Sequence, residues 1–84
     1  MVSGTIAEET TRCLENLAAV LDAAGSGWVH VLKVTVFLTD MAHYAEFNEG
    51  YESFVGAEPP ARAAVAVAGL PKDARVEIEC IARV

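Results

Sequence analysis

Val29-His30-Val31-Leu32-Lys33-Val34-Thr35-Val36-Phe37-Leu38-Thr39 is the stretch from which the rest of the fold can be read. It is rich in β-branched and apolar residues, and its side chains alternate. Val34, Val36 and Leu38 fall on one face, while Lys33, Thr35 and Phe37 fall on the other. This pattern predicts a strand over 29–39, covered mainly on one side. Such a strand needs backbone partners along its edges and an apolar layer over its covered face.

Toward the amino terminus the period changes. Thr5-Ile6-Ala7-Glu8 fits a capping box, in which the Thr5 hydroxyl satisfies an orphan amide and Glu8 reaches back. Cys13, Leu14, Leu17, Val20, Leu21 and Ala24 recur at helical spacing, with Arg12, Glu15, Asn16 and Asp22 opposite. Gly25 ends the pattern, so a helix is expected from Ile6 to Ala24.

Toward the carboxy terminus, Asp40 is placed to cap a second helix. Along it Tyr44, Phe47, Tyr51 and Phe54 form an aromatic stripe, read as core packing against a sheet rather than a platform for stacked bases. Gly56 and Pro59-Pro60 stop this helix. Arg62 to Ala68 then predicts a second strand, Gly69 to Asp73 a turn, and Arg75 to Val84 a third strand. In the third, Val76, Ile78, Cys80 and Ala82 share one face; Glu77, Glu79, Ile81 and Arg83 share the other. The expected order is αβαββ in a single domain, residues 1–84, of the α/β (α+β) class. Helix two crosses over between parallel strands and a hairpin follows. Three strands leave two edges, which other subunits or a further piece at the front are expected to cover.

Composition narrows the partners. A chain of 84 residues that is 54% hydrophobic is too apolar to hide all of that surface alone, which predicts burial against other copies. The net charge is −6 and the basic residues are scattered, so nucleic acid is not an expected partner. Cys13 and Cys80 show no paired spacing and read as reduced core thiols of an intracellular protein. His30 and His43 lack ligand spacing with either cysteine, so no metal is expected. No apolar run reaches membrane-spanning length, and the first residues carry neither a signal core nor an arginine-rich presequence.

One charge stands apart. Arg62 leads into Ala63-Ala64-Val65-Ala66-Val67-Ala68, and no further charge occurs until Lys72. An arginine there either pairs with a carboxylate of the protein or meets an anion from outside, and its planar fork suits two-point contact with a carboxylate. The plain alternative is that Arg62 and Glu77, expected on neighbouring strands, pair with each other or with solvent. Lys33, within an apolar strand, reads as an ion pair or hydrogen bond at a subunit contact.

Several blocks together carry a resemblance. Thr11-Arg12-Cys13-Leu14-Glu15-Asn16-Leu17, Val31 through Asp40, Phe47-Asn48-Glu49, Pro60-Ala61-Arg62 and Leu70 through Glu79 stand in the order seen in the Rid family, the reactive intermediate deaminases also called YjgF. The resemblance covers essentially the whole chain. It implies a chorismate-mutase-like mixed sheet backed by two helices and a homotrimer with clefts between subunits. Members begin with a strand hairpin that has no counterpart here, so the chain resembles a member shortened at its amino end, with Met1 to Thr5 as the loop before helix one. The implied activity is hydrolysis of small 2-imino acids, 2-iminopropanoate and 2-iminobutanoate, to 2-oxo acids and ammonia, without a cofactor. Arg62 matches the arginine that grips the substrate carboxylate, and Glu77 the acidic residue associated with the attacking water. Ala64 takes a substrate-facing position often held by cysteine. Alternatives are a member that only binds ligands or assembles, and a ribonuclease or translation inhibitor. Relatives of this kind occur in cytosol and mitochondria, and a cytoplasmic or mitochondrial location is expected.

Overall fold

The computed structural model describes residues 4–56 and 59–84; the expected loop at Met1 to Ser3 lies outside them. Thr5 caps α1 (Ile6–Ala23) as expected. Its hydroxyl accepts from the Glu8 amide at 3.0 Å, and the Glu8 carboxylate accepts from the Thr5 amide at 2.8 Å. After a short turn at Trp28–His30 come β1 (Val31–Leu38), α2 (Tyr44–Val55), β2 (Ala61–Ala66) and β3 (Val76–Ala82). The αβαββ order holds, with each strand shorter than its sequence pattern. Asp40 does cap, accepting from the Ala42 amide at 2.9 Å in the Met41–His43 turn that feeds α2.

The strand order is β2-β1-β3, with β2 parallel and β3 antiparallel to β1. The crossover through α2 is therefore as expected, but the hairpin is not. β3 pairs with β1 rather than β2. β1 is the most buried strand, and a neighbour on each side satisfies its backbone groups. The connection 67–75 passes over the end of β1, held by the Val67 amide on Leu38 O (2.8 Å) and the Thr39 amide on Arg75 O (3.1 Å). Lys72 and Asp73 both adopt φ of 58° to make that turn, a left-handed conformation that costs non-glycine residues about 1 kcal/mol or more each.

The face of β1 marked by alternation is the core. Val34, Val36 and Leu38 are fully buried beside Leu14 of α1, Phe47 and Tyr51 of α2, and Val76 of β3. α1 lies over β3 and against α2. The helices approach closely at Gly50, where a Cβ would stand 3.3 Å from Ala7 O and 3.4 Å from the Thr10 side chain.

A buried carboxylate ties α1 to the start of β3. Glu9, only 3% exposed, accepts from the Arg75 amide (2.6 Å), Arg75 Nε (2.9 Å) and the Val76 amide (3.3 Å), and pairs with Arg75 Nη2 at 2.8 Å. Burial alone would raise the Glu9 carboxyl; the amide donors and the guanidinium overcome it and hold it below the ordinary glutamate range. A depressed carboxyl stabilises the fold above its unfolded-state pKa and loses that contribution as pH falls through its folded value. Melting followed by circular dichroism is expected to show a drop in Tm below about pH 4.5 that is shallower in Glu9→Gln, with Glu9→Gln less stable than wild type at pH 7.

Candidate functional site: an arginine held by neutral partners

Arg62 stands in register with Val34, and Ala64 with Val36. Both therefore lie on the face that α2 covers. Ala64, two residues along from Arg62, packs against the core. Arg62 remains exposed, yet its guanidinium is fixed at several points. Nη1 donates to Asn48 Oδ1 and Nη2 donates to the Tyr44 hydroxyl, each at 2.6 Å. The guanidinium carbon lies 4.8 Å from the Tyr51 ring centroid, 5.6 Å from that of Tyr44 and 5.9 Å from that of Phe47, within cation–π range of all three. Among the described residues no carboxylate forms an ion pair with Arg62; the ion pair found there is Arg75 with Glu9.

Sequence reading identified the arginine but not its holders. Tyr44 and Asn48 are four residues apart, and Tyr51 three further on, so one stripe of α2 presents all of them. Three of the four rings in the aromatic stripe assigned to the core thus also floor a cation. What the sequence did not give was the register that sets this stripe of α2 over Arg62 on β2.

A cleft of about 620 Å³ opens beside the arginine, lined by Tyr51, Glu52, Val55, Pro59, Pro60 and Arg62. Tyr51 is 1% exposed, and its hydroxyl has no hydrogen-bond partner among the described residues. Burial pushes this phenol up, while the Arg62 charge pulls the other way.

Glu77 is placed differently. It stands in register with Phe37, on the sheet face turned away from the helices, and is exposed. β1 separates its strand from that of Arg62, so the two are not on neighbouring strands and do not pair. Within one chain the structure brings Arg62 and Ala64 together and leaves Glu77 on the opposite face. Glu79 joins Glu77 there, in register with Thr35.

The cysteines are both free and half-buried. Burial pushes both thiols up, assisted by Glu9 and Glu77 at Cys13 and by Glu79 at Cys80, which disfavours a reactive thiolate. Among the described residues no three His, Cys, Asp or Glu side chains gather closely enough to hold a metal ion, and no helix is long and apolar enough to cross a membrane.

A mixed sheet backed by two helices, with one arginine held at a cleft by neutral side chains, defines the class of this domain. The family model described as Endoribonuclease L-PSP matches residues 1–84, and the chain belongs to that family, the YjgF/Rid family whose motifs it carries. A RutC family protein of Pyrococcus horikoshii is 49% identical over 98% of this chain. The 2-iminobutanoate/2-iminopropanoate deaminase of Rattus norvegicus is 45% identical over the same share. The chain spans 65% of the first relative's length and 60% of the second's. The crystal structure of E. coli TdcF with bound serine superposes with a TM-score of 0.90 at 39% identity, covering 98% of this chain and 67% of that one.

The coupling between Tyr51 and Arg62 can be read directly. In an alkaline spectrophotometric titration one tyrosine is expected to ionise above the ordinary tyrosine range and to disappear in Tyr51→Phe. Arg62→Met is expected to move that ionisation higher still.

Proposed function

We propose that this domain binds small 2-imino and 2-oxo acids through Arg62 and, in an assembly of several copies, hydrolyses the imine to the 2-oxo acid and ammonia. The observation that carries the reading is the Arg62 guanidinium, fixed at a cleft by Asn48 and Tyr44 without an opposing carboxylate among the described residues. Deaminase relatives at 45% and 44% identity support it, as does a structural relative that holds serine, itself a small carboxylate.

The chemistry demands little of the protein. Water adds to the electrophilic carbon of the protonated imine, one proton moves from the added oxygen to nitrogen, and the C–N bond breaks as the oxygen gives up its second proton, leaving the 2-oxo acid and ammonia, which takes up that proton as ammonium. The site must hold the carboxylate, place the water and move these protons. Arg62 meets the first need through a two-point contact, with Ala64 as a neutral wall. Glu77 is proposed for the other two. Because it projects from the opposite sheet face, we assign it to the cleft of a neighbouring copy, with the family's trimeric arrangement bringing the two faces together. The apolar composition and the outer edges of β2 and β3, unpaired among the described residues, favour such an assembly.

The separation of Arg62 from Glu77 also supports a second reading: a member that binds small acids without turnover. RNA cleavage, suggested by the family model's description, fits poorly with a net charge of −6 and scattered basic residues.

Ammonia release from freshly generated 2-iminopropanoate tests these readings together. Wild type is expected to accelerate release, and Arg62→Ala to lose it along with binding of 2-oxobutanoate by about thirtyfold or more in calorimetry. Glu77→Gln is expected to keep the ligand but lose turnover. Binding without acceleration in wild type would select the second reading, and unchanged affinity in Arg62→Ala would remove the first.

A further inference from the structure

Asn48 poses a question that carboxylate binding by itself does not answer: why an acidic helix holds its arginine with an amide. α2 carries Glu46, Glu49 and Glu52, and the chain as a whole is acidic. A carboxylate would be the common partner for a guanidinium in such surroundings. Yet among the described residues the side chains that hydrogen-bond Arg62 are Asn48 and Tyr44, both uncharged acceptors, at 2.6 Å. Glu52 lines the adjoining cleft without forming an ion pair with Arg62.

We propose that Asn48, with Tyr44, is a positioning residue that fixes the Arg62 fork while leaving its positive charge unneutralised, so that an incoming carboxylate meets a guanidinium already aimed and still fully cationic. The inference rests on the reading of Arg62 as the carboxylate anchor.

The physical basis has two parts. An arginine free to rotate must be immobilised when its ligand arrives, and immobilising it in advance is worth a few-fold to about tenfold in affinity. Holding it with a carboxylate would achieve that, but the ligand would then have to displace an existing ion pair or share its charge. Amide and phenol oxygens accept the hydrogen bonds without contributing a full negative charge. A guanidinium also has more N–H donors than these two bonds use, so donors remain for a ligand. The rings of Tyr51, Tyr44 and Phe47 lie within cation–π distance of the guanidinium and help hold it in place without adding a negative charge.

The pair Asn48→Asp and Asn48→Ala separates charge presentation from structural support. The near-isosteric change Asn48→Asp keeps an acceptor at the same place and adds the charge that the proposal says must be absent. Calorimetry with 2-oxobutanoate is expected to show affinity reduced about tenfold in Asn48→Ala and about a hundredfold in Asn48→Asp, while the Tm of Asn48→Asp equals or exceeds that of wild type. A residue that only supports the fold would give the reverse order, with the aspartate variant the milder change. Binding by Asn48→Asp as tight as wild type, or tighter than by Asn48→Ala, overturns the proposal. Should Asn48→Ala fail to fold, Asn48→Asp against wild type decides by itself. Arg62→Ala is run alongside: undiminished binding there refutes the anchor reading and this inference together, whereas loss in Arg62→Ala with none in Asn48→Asp removes only the role given to Asn48.

Discussion

Val34, Val36 and Leu38 are sealed beneath α1 and α2, and this one-sided burial of β1 fixes where every side chain of the flanking strands can go. Paired positions of adjacent strands share a face, so covering one face of β1 assigns Arg62 and Ala64 to the helix side and Glu77 and Glu79 to the open side. A slip of one residue in the β1–β2 register would turn Arg62 outward and deprive it of Asn48, Tyr44 and the ring of Tyr51. The site therefore depends on hydrophobic packing that contains no functional group.

That dependence explains which features could be read from the sequence. Period-two alternation in 29–39 and helical spacing in 6–24 reflect local geometry, so both elements were legible, as were the capping box at Thr5 and the cap at Asp40. The parallel crossover followed from the helix lying between two strands. The position of β3 did not follow. Nothing within Gly69 to Asp73 distinguishes a hairpin turn from a loop that passes over β1; the decision rests on how fully the edges of β1 are satisfied, a property of the assembled sheet. The consecutive left-handed residues Lys72 and Asp73 were equally hidden, since neither is a type that favours that conformation as glycine does.

The same limit applies to the site. Arg62 stood out because it is a lone charge before an apolar strand, a local observation. Its partnership with Tyr44 and Asn48 joins residues 14 and 18 positions away, and it emerges only once α2 is laid over β2. The opposite-face placement of Glu77 likewise needed the strand order. A motif resemblance can align residues with roles, but the side of a sheet on which each role is performed is a question of register.

Arg62 and Arg75, each anchored by side chains, show how differently one functional group can be used. Arg75, itself partly exposed, meets Glu9, whose side chain is almost wholly buried, and there it supplies the charge that the buried carboxylate needs. Truncating one member would strand the other, so this pair locks α1 to β3 and offers nothing to a ligand. Arg62 is more exposed, where an ion pair would contribute little to stability because solvent screens it. Neutral acceptors fix its position at small electrostatic cost and leave the field of the cation directed into a cleft. Among the described residues a negative partner is present at Arg75 and not at Arg62, and that difference separates a cation spent on the fold from one whose charge is not cancelled.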